Sequence, residues 1–397
     1  MNSISLKSNL FYLLNRIVIF LQQNLIKLIS FVFFKKNQKK NSQNDNVLVF
    51  RGGGLGDFLF ALPAFNLLRE ETKNSRIFLI TYVAAGGAHL ENLKRKNIST
   101  PTWISLVDNL FDEIVILENI SLKNILSKRK QIKLLKINKV ILMGGPGEPF
   151  LSVLKKLFLL RLIGLRKINV TFTEQKFSLS FFRKFHQKWG FAFHKVNGPW
   201  EAAEKYLNKK YDVKDYYYLS KKLKNLKIQK DNYENFMVIS PGSLHKWKNW
   251  GESNFQELIF LLEDFINKKN MSLVITGPES DKELGERIKS NNKKIINECG
   301  NFSIDELAYL FSKAKLVLTN DGGAAHLAAL TGTKLISLSN GAEEPGVVTP
   351  IGENVLEHRN LTVCTPCFGM THCPLNHSKC IKDISVKNVY YSILKSL

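Results

Sequence analysis

Three glycine turns in this chain each follow an apolar run, lead into a helix-forming one, and carry a side chain able to do chemistry. The first is Gly52-Gly53-Gly54-Leu55-Gly56-Asp57. Gly54 and Gly56 let the backbone approach a ligand, and the helix that follows offers N–H groups to an anion. Asp57 reads either as a helix N-cap or as a carboxylate that takes a proton from a hydroxyl. The spacing is not the dinucleotide G-x-G-x-x-G, which argues against hydride transfer. The second turn, Ser240-Pro241-Gly242-Ser243, precedes Lys246, Lys248 and Trp250. Backbone N–H groups at Gly242, the Ser243 hydroxyl and one ammonium can surround a phosphate; each lysine alone is also an ordinary surface residue. The third is Asp321-Gly322-Gly323-Ala324-Ala325-His326. It sets a positive helix end beside an acid, an arrangement that can hold a pyrophosphate as charge builds on it. His326 is either a core residue or a phosphate donor. Between the last two, Thr276-Gly277-Pro278-Glu279 ends a strand with an acid that can accept from ribose hydroxyls or cap a turn. No Asp-x-Asp occurs, so a metal-bridged diphosphate is not expected.

Cys364, Cys367, Cys373 and Cys380 gather four of the five cysteines within 17 residues. The cluster suits a structural zinc or iron site, free thiols or disulfides; the spacing is not that of a zinc ribbon, and His372 and His377 are alternative ligands. No base is recognisably paired with a thiol, which argues against a catalytic cysteine. Cys299 reads as buried.

The elements that position these residues follow from strand-like runs at Asn46–Arg51, Arg76–Tyr82, Glu113–Leu117 and Lys139–Met143. A second series starts at Phe236–Ser240 and continues through Ser272–Thr276, Lys294–Asn297, Leu316–Thr319 and Lys334–Leu338. Helical stretches alternate with them, and Ser303 with Glu306 has capping-box spacing. The pattern predicts an α/β fold with parallel sheets and crossover helices, built as two successive Rossmann-like domains facing a cleft, the GT-B plan, with ligands at the carboxyl ends of strands. The expected divisions are an N-terminal segment and linker over 1–45, a first domain with its link over 46–235, a second domain over 236–385 and a terminal helix over 386–397.

The formal net charge is +23 over 397 residues, too long a chain for one ordinary core. From Lys123 to Lys195 there are 17 Lys/Arg against two acids, Glu148 and Glu174. Such a field attracts phosphate-rich partners; a lysine-favouring genome explains the total better than it explains the shortage of acids there. No aromatic-spaced basic stretch or recognition motif points to nucleic acid. Leu10–Phe34 is apolar but broken by Arg16, Gln22, Gln23, Asn24 and Lys27, and Lys35, Lys36, Lys39 and Lys40 follow. This predicts an amphipathic helix lying on an anionic membrane surface, with a tilted spanning helix as the alternative. No small-residue cleavage site follows it, as a signal peptide requires.

The motifs in order resemble those of glycosyltransferase family 9, the heptosyltransferase family of lipopolysaccharide assembly. They are x-G-D-x5-P (Gly56, Asp57, Pro63), G-x5-K-x-W (Gly242, Lys248, Trp250), G-x-E (Gly277, Glu279), G-x-x-S-x-x-E-L (Gly300, Ser303, Glu306, Leu307) and D-x-G-x-x-H-L-A-A from Asp321. The resemblance runs from about residue 46 to 385. It implies Asp57 as base, Lys248 as donor-phosphate ligand and Glu279 as nucleoside contact, with Asp321 to His326 holding the donor. It further implies an inverting, metal-independent transfer from ADP-heptose to an anionic lipid-linked glycan, by a cytoplasmic enzyme peripheral on the inner face of the bacterial inner membrane. Related protein heptosyltransferases carry a four-cysteine iron site with longer gaps than those here. Gly322 stands where the family usually has Ser or Thr, which leaves the donor open, an N-acetylglucosamine nucleotide included. A non-catalytic sugar-nucleotide-binding protein is the remaining reading.

Overall fold

The computed structural model describes residues 17, 20–22, 24–34, 44–82, 102–118, 121–144, 150–172, 198–216, 219, 233–343, 345–346, 348–367 and 372–397. The part of the basic stretch beyond residue 172, with Glu148, lies outside them. The chain divides into two compact units.

The first unit is built on a five-stranded sheet in the order β3-β2-β1-β4-β5. Its strands are β1 Asn46–Phe50, β2 Arg76–Tyr82, β3 Glu113–Leu117, β4 Lys139–Leu142 and β5 Asn169–Phe172, all parallel. The helices are α1 (residues 24–33), α3 Leu62–Glu71, α4 Leu122–Ser127, α5 Arg129–Leu134, α6 Phe150–Leu162 and α7 Gly198–Leu207. Parallel strands covered on both faces read as continuous apolar runs, and β1 and β2 are buried almost throughout.

The second unit holds a six-stranded sheet in the order β11-β10-β9-β6-β7-β8. Its strands are β6 Phe236–Ser240, β7 Ser272–Ile275, β8 Ile295–Asn297, β9 Val317–Asn320, β10 Leu335–Ser339 and β11 Val355–Arg359, again parallel. Helices α8 Glu252–Lys268, α9 Lys282–Ile288, α10 Ile304–Lys313, α11 Gly323–Leu330, α12 Lys379–Lys382 and α13 Val386–Ser396 surround it. Ser303 caps α10 in a full capping box with Glu306, as the spacing predicts. Both units thus have the parallel α/β plan expected. The edge strands β5 and β11 were not expected; both are short of fully buried residues and lack an apolar run.

One helix departs from the expected layout. The segment Leu55–Leu62, with α2 (Leu55–Leu59), belongs to the second unit although it directly follows β1. It packs against α11. The contact is close because Gly323 has no side chain: a Cβ there would lie 2.8 Å from Leu55 Cδ2. Asp57 and His326 are therefore neighbours within one unit.

Among the described residues, no helix is long and apolar enough to cross a membrane.

Candidate active site

Strands β6 and β9 are neighbours at the centre of the second sheet, and β7 leaves β6 on the other side. That reversal of strand order opens a crevice at the carboxyl ends, where ligands bind in open α/β sheets. Several of the residues singled out from the sequence lie at these strand ends, Gly242, Lys248 and Asp321 among them.

Asn320, the last residue of β9, ties the loop after β6 in place. Its amide nitrogen donates to the Pro241 carbonyl, and its oxygen accepts from the Trp250 N–H at 3.1 Å. Trp250 is fully buried, donates its indole N–H to Ile384 O at 2.9 Å and meets Phe255 edge-on at 5.0 Å. This anchor leaves only one of the two lysines facing inward. Lys248 Nζ lies 3.2 Å from Asp321 Oδ2 and 5.6 Å from the Trp247 ring centroid, whereas Lys246 is exposed. Lys248, the lysine that the motif spacing favours, is thus the one beside Asp321. Asn340, just beyond β10, donates its side-chain amide to the same Asp321 oxygen. The Asp321 side chain is only 7% exposed and holds two donors at once.

Gly322 precedes α11 as its N-cap with extended backbone, and it offers the amide groups of the first turn no side-chain cap. The expected glycine turn leading into a helix is thus present. Gly322 itself faces open space, with nothing within 4 Å of a Cβ built on it. His326 is buried and meets Phe60 edge-on at 6.3 Å; its Cδ2 lies 3.1 Å from where a Gly56 Cβ would be. Burial lowers the imidazole below its usual range, aided by Lys248, although Asp321 and Asp57 act the other way. A ring so held is uncharged at neutral pH and can still donate one hydrogen bond. Asp57 is exposed, in the first turn of α2 and not in the N-cap position, and close enough to His326 to act on its charge. Gly54, before α2, falls in the first unit.

Glu279 opens the turn after β7. Its carboxylate packs against Gly300, whose φ of +87° only glycine adopts without strain, and pairs with Lys282 at 3.7 Å. Ser243 lies half-buried beside Gly242. Two residues went unnoticed in the sequence. Asn340 has no motif around it. Asp281 fills the space that a side chain on Gly242 or Gly277 would need, and burial raises its carboxyl above the usual range.

The expected four-cysteine metal centre finds no support. Among the described residues no three His, Cys, Asp or Glu side chains are grouped to hold an ion. Cys364, Cys367, Cys373 and Cys380 are free thiols whose sulfurs have other partners. The Cys364 sulfur lies 3.1 Å from Thr362 Oγ1 and 3.7 Å from His377 Nε2. Burial raises the Cys373 thiol, but backbone N–H groups of Ser378, His377, Leu375 and Asn376 outweigh it and hold the thiol below its usual range. Cys299 is buried, as expected, and burial pushes its thiol up to about 12.

Residues 159–377 match the family model described as Glycosyltransferase family 9 (heptosyltransferase). A lipooligosaccharide heptosyltransferase 2 of Campylobacter jejuni is 29% identical over 164 residues, covering 40% of this chain and 50% of the relative. The protein of that name from a second C. jejuni strain is 26% identical over 170 residues, covering 41% and 52%. The chain thus spans about half the length of the curated relatives it matches. Among solved structures, a family 9 glycosyl transferase of Veillonella parvula has a TM-score of 0.58 at 16% identity, covering 91% of this chain and 99% of that one. The ADP-heptose lipopolysaccharide heptosyltransferase II of E. coli has a TM-score of 0.56 at 16% identity, covering 88% and 98%. At such identities the likeness is one of fold.

Proposed function

We propose, from the premise that the chain belongs to glycosyltransferase family 9 (heptosyltransferase), that it transfers a heptose from ADP-heptose to an anionic, lipid-linked glycan of the lipopolysaccharide type. The observation that carries this reading is the network of Lys248, Asn340 and Asp321 at the uncapped start of α11, one helical turn from the His326 that neighbours Asp57.

A hydroxyl of the acceptor attacks the anomeric carbon while the bond from that carbon to the diphosphate oxygen breaks. Asp57 takes the hydroxyl proton, and ADP leaves with the bonding electrons, so the configuration inverts. Charge growing on the leaving diphosphate meets the Lys248 ammonium and the amide groups of the first turn of α11. Such preorganised stabilisation is commonly the largest contribution to a transfer of this kind. Without donor, Lys248 is paired with Asp321; the diphosphate competes for the ammonium. Neutral His326 donates to the donor without adding charge. Ser243 and the backbone at Gly242 hold the outer phosphate oxygens, and Glu279 accepts from the ribose hydroxyls. No metal ion or other cofactor enters the scheme.

The purified chain is incubated with ADP-heptose and a membrane glycolipid extract, and ADP release is followed. Release should require acceptor, and Asp57→Ala should lower turnover at least ~100-fold while leaving ADP affinity in place. Turnover within ~10-fold of wild type would remove Asp57 as the base. The open space at Gly322 favours a second donor reading, in which a bulkier or differently substituted sugar sits where relatives have a hydroxyl. Competition among ADP, UDP and GDP separates the two.

A further inference from the structure

We infer that one face of the first unit docks flat on an anionic lipid bilayer, and that α1 is part of a four-helix surface and not a detached anchor. This goes beyond the donor site and does not depend on it.

The inference starts from the sheet. Leu48, Phe50, Phe78, Ile80, Val115 and Leu117 are register partners or alternate neighbours, and so share one face. They form one buried cluster with Ile26 and Phe34 of the α1 region, Ile125 of α4, Ile132 of α5, and Val153 and Leu157 of α6. These four helices therefore cover the same side of the sheet. In α1 the positions 26, 29, 30 and 33 turn inward, buried or half-buried.

The opposite side of α1 is just as apolar, and nothing described covers it. Leu21, Leu25, Leu28 and Val32 recur at helical spacing, and Phe31 and Val32 are 75% and 69% exposed. A helix apolar on all sides belongs in a fully buried setting, yet half of this one faces out. The other three helices continue the pattern: Leu122 of α4 is 49% exposed, Leu134 of α5 and Leu151 of α6 are each 71%, and Phe158 of α6 is 51%. Apolar exposure repeated over several helices on one side of a sheet marks an interaction surface.

The charges on the same helices select the partner. Lys27, Lys123, Lys128, Arg129, Lys130 and Lys155 are exposed, and α1, α4, α5 and α6 contain no acidic residue. Glu113, the acid in contact with α5, is held by Gln131 at 2.8 Å. A second copy of the chain would bring like charge against like charge. Nucleic acid would meet exposed leucines that have nothing to bind. Apolar side chains flanked by lysines and free of acids match the boundary between acyl chains and anionic headgroups.

The test uses the full chain with vesicles of phosphatidylethanolamine and phosphatidylglycerol, and with vesicles of phosphatidylcholine alone, followed by co-sedimentation. Wild type should bind the anionic vesicles and lose binding as salt rises. Replacing Lys128, Arg129 and Lys130 by Glu should weaken binding at least about fivefold per residue and remove its dependence on lipid charge. The Phe31→Glu, Val32→Glu variant should weaken it at least roughly tenfold. Both variants should keep the wild-type Tm and ADP affinity. Absence of vesicle binding by wild type overturns the proposal, as does unchanged binding by both variants. So does a wild-type dimer in light scattering that the variants abolish, or a fall in Tm of the α1 variant that shows the face to be covered by the chain itself. Vesicle binding without sugar-nucleotide binding would sink the transferase reading and leave this one standing; the reverse result would do the opposite.

Discussion

Each parallel sheet carries a buried polar cluster, and the two clusters stand at different ends of the strands. In the first unit a cluster sits at the amino ends of the strands. Asn138 donates to Asp45 Oδ1 at 3.1 Å and accepts from the Asn46 N–H at 3.0 Å, Ser75 Oγ accepts from the Asp45 N–H, and Lys139 Nζ lies 4.0 Å from Asp45. Tyr206 joins it, its phenol pushed up by burial and by the Asp45 carboxylate. In the second unit the buried polar residues Ser240, Thr276, Asn320, Asp321 and Asn340 stand at or just past the carboxyl ends. Amino-end groups pair with one another and close a structure. Carboxyl-end groups face the crevice where ligands bind, and Lys248 is only loosely committed there, with its side chain 24% exposed. The same fold thus uses one polar cluster to hold strands, while the proposed donor site draws on the other.

The largest expected effect breaks the second cluster at its base. Asn320→Ala leaves the buried Trp250 N–H and the Pro241 carbonyl without their partner. Each orphaned group costs about 1–3 kcal/mol, so stability should fall by about 3 kcal/mol in urea unfolding. The loop that carries Lys248 loses its tether too, so ADP affinity should drop even where the protein is fully folded. A stability loss with unchanged ADP binding would mean Asn320 has no part in positioning the site. Next in size is Lys248→Met, which removes a charge-assisted contact of about 2 kcal/mol and should weaken ADP roughly 30-fold in calorimetry. Lys246→Met, on an exposed side chain, should change it less than ~3-fold. Equal effects would place the phosphate ligand elsewhere.

How much of this was legible in the sequence depends on whether a residue acts through its neighbours in the chain or through space. The buried strands β2 and β6 run over the residues expected, because a strand covered on both faces is a bounded apolar run. The capping box at Ser303 is equally local. Edge strand β11, Val355–Arg359, carries Glu357, His358 and Arg359 and has no such signature. The Asp321 turn announced an anion-binding helix end, but Asn340, 19 positions away, meets Asp321 only because β10 lies beside β9. The motif spacing to Trp250 already favours Lys248 over Lys246, and it is Lys248 that lies against Asp321. The cysteine spacing, read for a metal, carried no information about where the sulfurs would point. The membership of α2 in the second unit was hidden as well, since Gly323 and Leu55 are close only in space.

A smaller effect sharpens the comparison from the other side. Asn138→Ala removes the link between Asp45 and the Asn46 N–H. Stability should fall by about 1–2 kcal/mol, while ADP affinity and turnover of the folded protein stay at wild-type values. Lost ADP binding in that variant would mean that the amino-end cluster is not merely a closure of the sheet.

The smallest effect is the most discriminating for the donor. Gly322 has a φ of 173°, extended backbone that any residue adopts, and a Cβ there meets nothing within 4 Å. Gly322→Ser should therefore fold normally, gaining a few tenths of a kcal/mol at most, because Ser is a slightly better N-cap than Gly. Gly323→Ser is the control: its Cβ would fall 2.8 Å from Leu55 Cδ2, so Leu55 must shift and stability should drop. A hydroxyl at position 322 points to the space beside the first turn of α11, so its effect on binding reports what occupies that space. Tighter ADP-heptose binding in Gly322→Ser would mean the wild-type site takes the heptosyl donor with one contact missing. Weaker ADP-heptose binding with ADP itself unaffected would mean the space is already filled by the sugar, and that the absent side chain is part of how this chain chooses its donor.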